Sequence, residues 1–263
     1  MLTREQILEA LRVAVEPLAL AMWEGGSVAR GAADAMSDID LSIVVEDDAV
    51  AAMWGPIEAA LSARSPIALA WHAPEPAWHG HAQRIYRLRD ASPWLLVDVA
   101  IIKRSAADKF VDPEQHGVAR VIFDRIGASA PRPFDANAFR DKLRAGLARA
   151  VTTFEMFESF VEKELARGRL IDAIHFWRGL AVTPLITVLS VKYRPLRFDF
   201  SPRYLDRDFP ADVVRELIEL HYVRDADDLR AKRPRARALF ERTVAAIDLD
   251  AIDLDAIVSA ARS

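Results

Sequence analysis

The sequence has 263 residues, 52% of them hydrophobic and 28% charged, so it can bury a core and is not a disordered tail. Its 35 basic and 39 acidic residues give a net charge of −4, which argues against coating nucleic acid by bulk charge. The absence of cysteine excludes disulfides, thiolate zinc sites and cysteine nucleophiles. No secretory signal and no run of ~18 apolar residues is visible, so we expect a soluble, cytoplasmic protein without a membrane span.

Helical and strand patterns alternate over the first 130 residues. A helix is predicted over residues 3–22, with Thr3 and Gln6 in capping-box positions. Gly25-Gly26-Ser27 then begins a loop of small residues that runs to Ser37. The remaining predicted elements are strands at 39–45, 67–71, 84–88, 94–102 and 118–123 and a helix at 49–63. Strands interleaved with helices predict a mixed β-sheet with helices packed on it.

The composition changes at a proline-rich linker, residues 127–133. Beyond it every extended apolar pattern has helical spacing. These stretches cover residues 135–167, 170–191, 211–223 and 226–247. The predicted fold is therefore α+β, with a sheet domain over residues 1–130 and a helical bundle domain over residues 131–263.

Two aspartates enter the first predicted strand at alternate positions. Asp38 and Asp40 stand two residues apart, and residues two apart in a strand share a face. Carboxylates ~7 Å apart on one face repel each other and are costly to desolvate. A divalent cation between them removes that conflict. Hard oxygen ligands with no histidine or cysteine nearby favour Mg²⁺ or Mn²⁺.

The segment just upstream is suited to an anion. Gly26 lets the backbone approach a phosphate closely, and the Ser27 hydroxyl can donate a hydrogen bond to its oxygens. Arg30 could add a guanidinium to the same anion, although pairing with Asp34 or capping a helix explains it equally well. Phosphate donors beside a two-carboxylate metal site are the parts needed for phosphoryl or nucleotidyl transfer.

A third carboxylate is expected on a neighbouring strand. Asp98 is the one acidic residue in the apolar run Leu95–Ile102. A carboxylate buried in a strand needs a partner, because its desolvation is expensive. The shared metal is the predicted partner, and an arginine is the alternative.

These residues resemble a known family. Gly26-Ser27, ten intervening residues (28 to 37) and then Asp38-Ile39-Asp40-Leu41 are similar to the motif of the nucleotidyltransferase superfamily that includes DNA polymerase β. The longer strings Gly-Ser-x-Ala-Arg-Gly and Ser-Asp-Ile-Asp-Leu resemble its small bacterial members, among them aminoglycoside and lincosamide nucleotidyltransferases. The resemblance covers roughly residues 20–45 and the strand around Asp98, and those enzymes also carry a helical domain after the catalytic one.

The resemblance implies roles for individual residues. Gly26 and Ser27 would hold the triphosphate of a nucleotide, with Arg30, Ser37 and Lys192 as further nucleotide-binding candidates. The metal ligands and catalytic carboxylates would be Asp38, Asp40 and Asp98. The third position is often glutamate in aminoglycoside members, where it can act as the base. Because Asp98 is one methylene shorter, metal binding is the safer assignment for it.

The function implied is Mg²⁺-dependent transfer of NMP from an NTP, expected to be ATP, to a hydroxyl of a small molecule, with release of pyrophosphate. An aminoglycoside-type antibiotic is one candidate acceptor, which would make the protein a resistance enzyme. We expect the acceptor in the cleft between the domains. Two alternatives stay open: an antitoxin-type enzyme that modifies a partner protein or tRNA, and a nucleotide-binding module without turnover. The acidic net charge disfavours a nucleic acid partner.

Three histidines follow the predicted strand at 67–71. His72, His79 and His81 lie in a proline-rich, aromatic segment where no helix fixes the spacing of metal ligands. We therefore expect a surface loop near the substrate entrance rather than a zinc site.

Overall fold

The computed structural model describes residues 1–75, 77, 79–200 and 202–262. The chain forms two compact units, Met1–Pro133 with Ile257–Ser263, and Phe134–Ala256. The first unit contains a six-stranded sheet and the second is helical, so the α+β class is confirmed. The C-terminal residues 257–263, which the sequence analysis assigned to the second domain, group with the first unit.

The sheet has the order β3-β4-β5-β2-β1-β6. Its strands are β1 (Ala21–Glu24), β2 (Ile39–Val45), β3 (Ile67–His72), β4 (Ala82–Leu88), β5 (Leu96–Lys103) and β6 (Arg120–Asp124). The central pair β2 and β5 is parallel, and the other neighbouring pairs are antiparallel. The strand predicted at 39–45 is confirmed in its full extent.

The N-terminal helix is shorter than predicted. Helix α1 spans Arg4–Val15 with the capping box at Thr3, and the chain then turns into β1. The prediction of one helix over residues 3–22 is wrong, because Pro17 has no backbone N–H with which to continue the hydrogen-bond ladder. Leu18 extends the apolar spacing but is 56% exposed, outside the core.

Each face of the sheet has its own apolar cluster, as the alternation of strand side chains requires. Helices α1 and α3 (Val50–Arg64) cover one face, where their side chains pack against alternate residues of β2. The main members of this core are Ile7, Leu11, Ile39, Leu41, Ile43 and Ile57. On the other face Trp23, Val44 and Ile102 form a smaller cluster. Asp40 shares strand parity with Val44, so it points to this second face.

Two one-turn helices complete the first unit, α2 (Gly26–Ala29) and α4 (Pro113–His116). The second unit holds the remaining helices: α5 (Ala136–Phe157), α6 (Ser159–Ala166), α7 (Leu170–Phe176), α8 (Thr183–Tyr193), α9 (Leu205–Asp208), α10 (Ala211–His221) and α11 (Ala226–Ala245), followed by α12 (Leu254–Arg262), which runs from the second unit into the first. A π-helical turn, Trp177–Val182, joins α7 to α8, and Pro195–Arg197 forms a 3₁₀ turn. The Trp177 indole is fully buried and donates to the Leu220 carbonyl at 2.9 Å.

The stretch Leu170–Tyr193 has 24 residues and contains an 18-residue window with a mean hydropathy of 1.4, so it is long and apolar enough to cross a membrane. More than half of its most apolar window, 56%, is buried inside the protein, as in the core helix of a folded domain. The expected absence of a membrane span stays a prediction.

Candidate functional site

The end of β1 and the start of β2 are joined by a close backbone contact. The Gly25 N–H donates to the Asp40 carbonyl at 2.8 Å, and Gly26 follows with φ of +57°. A Cβ on Gly26 would lie 1.7 Å from Oδ2 of Asp40. Only glycine fits here, both because the backbone is left-handed and because the Asp40 carboxylate occupies the space of a side chain.

The hydroxyl of Ser27 is the unsatisfied group of this segment. Its Oγ is buried and, within the part of the chain that the structure describes, has no hydrogen-bond partner. A buried hydroxyl without a partner carries a desolvation cost that a bound acceptor oxygen would offset. Ser27 directly follows Gly26, the residue whose Cβ position is taken by the Asp40 carboxylate.

A buried ion-pair network holds the two ends of the segment between β1 and β2, residues 25–38, which we call the Gly26 loop. Glu24, the last residue of β1, is fully buried and pairs with both Arg4 and Arg120. Arg4 also donates from Nη1 to the backbone carbonyls of Asp38, at 2.8 Å, and Ser37, at 3.2 Å. The sequence analysis missed this network. A single glutamate next to the Gly-Gly-Ser segment was its only local signal.

The parallel pairing of β2 and β5 brings two of the predicted carboxylates side by side. Asp40 and Asp98 are register partners, and partners in a sheet point to the same face. Asp38 directly precedes β2, and its Oδ1 accepts from the Leu96 backbone N–H at 3.3 Å.

The carboxylate of Asp98 has an uncharged partner. Nε2 of Gln83, on β4, lies 2.8 and 2.9 Å from its two oxygens. Burial raises the pKa of Asp98, and the nearby charge of Asp38 raises it further, while the Gln83 hydrogen bonds act in the opposite direction. The expected alternative of an arginine partner is therefore wrong. Gln83 was not singled out in the sequence, because only the β4–β5 register reveals it.

The donor chemistry of this face suits a hard divalent cation, since all three candidate ligands are carboxylates. The Gly26 backbone cradles Asp40, and Asp98 carries a charge that burial disfavours. However, among residues 1–75, 77, 79–200 and 202–262 no three His, Cys, Asp or Glu side chains are gathered so that they could hold one metal ion. Asp38, Asp40 and Asp98 are therefore neighbours with suitable chemistry and not a formed metal centre.

The other nucleotide-binding candidates occupy different surroundings. Arg30 donates from Nη2 to the Gln115 carbonyl at 3.2 Å. The Ser37 hydroxyl closes a turn with Asp34, accepting from its N–H at 2.9 Å and donating to its Oδ1 at 3.1 Å. Lys192 is exposed in the last turn of α8, in the second unit, with its ammonium 5.2 Å from the Tyr193 ring centroid. Their roles in nucleotide binding stay predictions.

The histidine segment is more buried than expected. His72 is exposed at the end of β3, but His81 is only 7% exposed, so the expectation of a surface loop is wrong for it. The rings of His79 and His81 both meet the edge or face of Phe110, with centroids 5.4 and 4.8 Å away. Phe110 thus packs against both imidazole rings.

Comparison with known proteins gives distant structural relatives. No family model matches the sequence, and no curated protein matches it. The structure is similar to an aminoglycoside 6-adenyltransferase from Bacillus subtilis, with 15% identity, a TM-score of 0.35 and coverage of 99% of this chain and 92% of that one. It is also similar to a spectinomycin adenyltransferase from Enterococcus faecialis, with 10% identity, a TM-score of 0.36 and coverage of 98% and 95%.

Both of these structures are antibiotic adenyltransferases. At these identities and TM-scores the likeness is distant. The roles of individual residues rest on the chain's own geometry.

Proposed function

We propose that this protein is a nucleotidyltransferase that moves NMP from an NTP, with ATP as the first candidate, to a hydroxyl of a small molecule. The observation that carries the proposal is the register of Asp40 with Asp98, on the face where Gly26 touches Asp40. The Ser27 hydroxyl, which directly follows Gly26 in the chain and is buried with no partner among the described residues, supports a bound phosphate. In the reaction the acceptor oxygen bonds to the α-phosphorus, the bond to pyrophosphate breaks, and the hydroxyl proton is released.

The chain's own residues would act by positioning and charge. Ser27 would donate to a phosphate oxygen, and the side-chain-free Gly26 leaves room for the Asp40 carboxylate. Arg4, through its contacts with Glu24 and the carbonyl of Asp38, would hold the Gly26 loop and the start of β2 in one arrangement. Such prearranged geometry lowers the barrier because the reacting groups lose little freedom on binding.

Mg²⁺ is the proposed metal, held by Asp38, Asp40 and Asp98. It would neutralise the charge of the triphosphate and of the three carboxylates. The three carboxylates are not gathered around one point, so sharing the ion would require Asp38 and Asp40 to shift toward Asp98, which Gln83 holds. Binding of Mg²⁺ together with the nucleotide is therefore expected to raise the melting temperature more than either does alone.

The acceptor is proposed to lie on the same face of the sheet. Register partners run across four strands in one row, from Asp40 to Asp98, then Ile85 and finally Trp71. Trp71 is 52% exposed, two strands from Asp98 and so roughly 10 Å away at the usual strand spacing. An exposed indole at that distance offers a flat surface to a ring of the acceptor. Aminoglycosides and spectinomycin, named for the two similar structures, are the first acceptors to test.

The experiment is pyrophosphate release with each NTP, Mg²⁺ and a panel of hydroxylated acceptors. Asp40→Asn should reduce turnover by a factor of about 1,000 or more, because it removes a carboxylate at the reacting centre. Asp48→Asn is the matched control, since Asp48 is exposed beyond the end of β2. Full turnover in Asp40→Asn would overturn the proposal.

A further inference from the structure

A chain of hydrogen bonds runs from the histidine segment to Asp98. The His81 backbone N–H donates to Nδ1 of His79 at 3.2 Å. Nε2 of His79 lies 3.1 Å from Oε1 of Gln83, and Nε2 of Gln83 contacts both oxygens of Asp98. Four groups are thus connected in series, and the last of them is a proposed catalytic carboxylate.

The donor and acceptor inventory gives this chain one direction. An ionised carboxylate only accepts, so Gln83 must present its NH₂ group to Asp98 and its carbonyl oxygen to His79. That carbonyl accepts only, so Nε2 of His79 must carry a proton. A backbone N–H donates to Nδ1, so that nitrogen must be bare. His79 is therefore the neutral Nε2–H tautomer, and every donor in the chain points toward Asp98.

Packing against Phe110 holds the two histidines at the start of this hydrogen-bond chain in place. The ring of Phe110 meets the His79 ring in a T-shaped contact at 5.4 Å and the His81 ring in another at 4.8 Å. Phe110 has a φ of 60°, a left-handed conformation that is unfavourable for a residue with a side chain. The surrounding contacts therefore stabilise an unfavourable backbone conformation at Phe110, in which its ring packs against the two imidazoles.

We infer that Gln83 is a positioning residue that fixes the Asp98 carboxylate for nucleotidyl transfer, and that His79 fixes Gln83. The inference rests on the proposed function for its catalytic consequence. The amide holds both carboxylate oxygens, so it sets the plane of the group that a metal or an acceptor would meet. His79 prevents the amide from flipping, because the flipped amide would place NH₂ against Nε2–H and an oxygen against the carboxylate.

Kinetics of four variants test the positioning role. Gln83→Met keeps the length of the side chain and removes its hydrogen bonds. It is expected to lower kcat by ~10–100-fold with KM for the nucleotide nearly unchanged, the usual cost of losing a residue that orients a ligand group. His79→Leu should lower kcat less, by roughly 3–10-fold, because Gln83 remains. His79→Gln places an amide N–H near the original Nε2 and should restore kcat to within about twofold. Gln115→Met is the control, since only the backbone carbonyl of Gln115 takes part in a hydrogen bond described above.

Imidazole ¹⁵N NMR supplies a readout that does not require turnover. The resonance that disappears in His79→Gln identifies His79 among the six histidines of the chain. It should show a bare Nδ1 and a protonated Nε2 whose proton exchanges slowly with water. In Gln83→Met that proton should exchange fast, since its acceptor is gone. Equal melting temperatures of the variants and the wild type exclude unfolding as the cause.

The outcomes separate the two proposals. An active enzyme in which Gln83→Met keeps the wild-type kcat, or in which His79→Gln is as impaired as His79→Leu, overturns the positioning role. An Nδ1–H tautomer of His79 overturns the direction of the chain. Absence of all nucleotidyl transfer in the wild type counts against the proposed function alone, and the tautomer and exchange data still decide whether the hydrogen-bond chain exists.

Discussion

The two sides of the candidate site differ in how their polar groups are satisfied. On the β1–β2 side, the Ser27 hydroxyl is buried without a partner in the described part of the chain. On the β4–β5 side, both oxygens of Asp98 contact Gln83, which in turn contacts His79. One side therefore has a buried hydroxyl without a partner among the described residues, and the other has a carboxylate already oriented by the protein. A site that binds an anion beside a fixed carboxylate needs both conditions.

Among the variants that probe this comparison, Gly26→Ala is expected to have the largest effect, because it disrupts the Ser27 side through the backbone. The added Cβ would meet Oδ2 of Asp40 at 1.7 Å, and alanine at φ of +57° costs about 1–2 kcal/mol. Displacing Asp40 by an ångström should lower kcat/KM by about 100-fold or more. Steady-state kinetics measures this, with Gly55→Ala as the control because its Cβ has no atom within 4 Å. Equal losses in both variants would contradict the close contact.

Ser27→Ala tests whether the unsatisfied hydroxyl is a ligand donor. Removing it should weaken nucleotide binding by ~10–100-fold, the effect of one hydrogen bond to a charged group. The free protein should lose no stability, because the hydroxyl has no partner there. Calorimetric titration with the NTP and thermal melting give the two numbers, and Ser62→Ala on the exposed side of α3 is the control. Unchanged affinity would show that Ser27 does not face the phosphates.

Trp71→Ala tests whether the acceptor and the nucleotide bind at different places on this face of the sheet. Loss of the exposed indole should raise KM for the acceptor by ~5–10-fold, the scale of one ring contact, and leave KM for the nucleotide unchanged. Leu18→Ala, which removes a side chain of similar exposure, 56% against 52%, should change neither. A rise in KM for the nucleotide instead would place Trp71 on the phosphate side.

The smallest effect is expected in the stability of Asp98→Asn. Because burial raises the pKa of Asp98 in the folded protein, ionisation above that pKa favours the unfolded state. Asparagine removes the charge and can still accept from Gln83, so at pH 7 the melting temperature should rise by ~2–4 °C, the scale of 1 kcal/mol. The difference should shrink as the pH falls through the raised pKa and vanish below the ordinary pKa of aspartate. A lower melting temperature at pH 7 would show that Asp98 is stabilised as the anion.

Local spacing carried most of what the sequence predicted about this face. The interval of two residues between Asp38 and Asp40, and the glycine-serine pair before them, require only the geometry of one loop and one strand. The strand itself begins at Ile39, as the apolar pattern indicated. Asp98 was found because a single carboxylate in an apolar strand needs a partner.

Partners from distant elements could not be predicted in the same way. Gln83 meets Asp98 only through the antiparallel register of β4 and β5, in which Ile85 is the partner of Asp98. Glu24 meets Arg120 through the pairing of β1 with β6. Strand β1 was not predicted. The apolar residues after Pro17 continue the helical spacing of the preceding residues, although Pro17 itself cannot continue the helix. Strand registers, and the point at which a helix ends and a strand begins, depend on how the whole sheet is assembled.

The pairing of Arg4 with Glu24 has a practical consequence for anyone shortening the protein. Deleting the first few residues would look harmless, because they are mostly exposed. Among the described residues, it would leave the fully buried Glu24 paired with Arg120 alone, and it would remove the Arg4 side chain that donates to the carbonyls of Ser37 and Asp38. The expected effect is a displacement of Asp38 and the start of β2, 34 residues after Arg4 in the sequence.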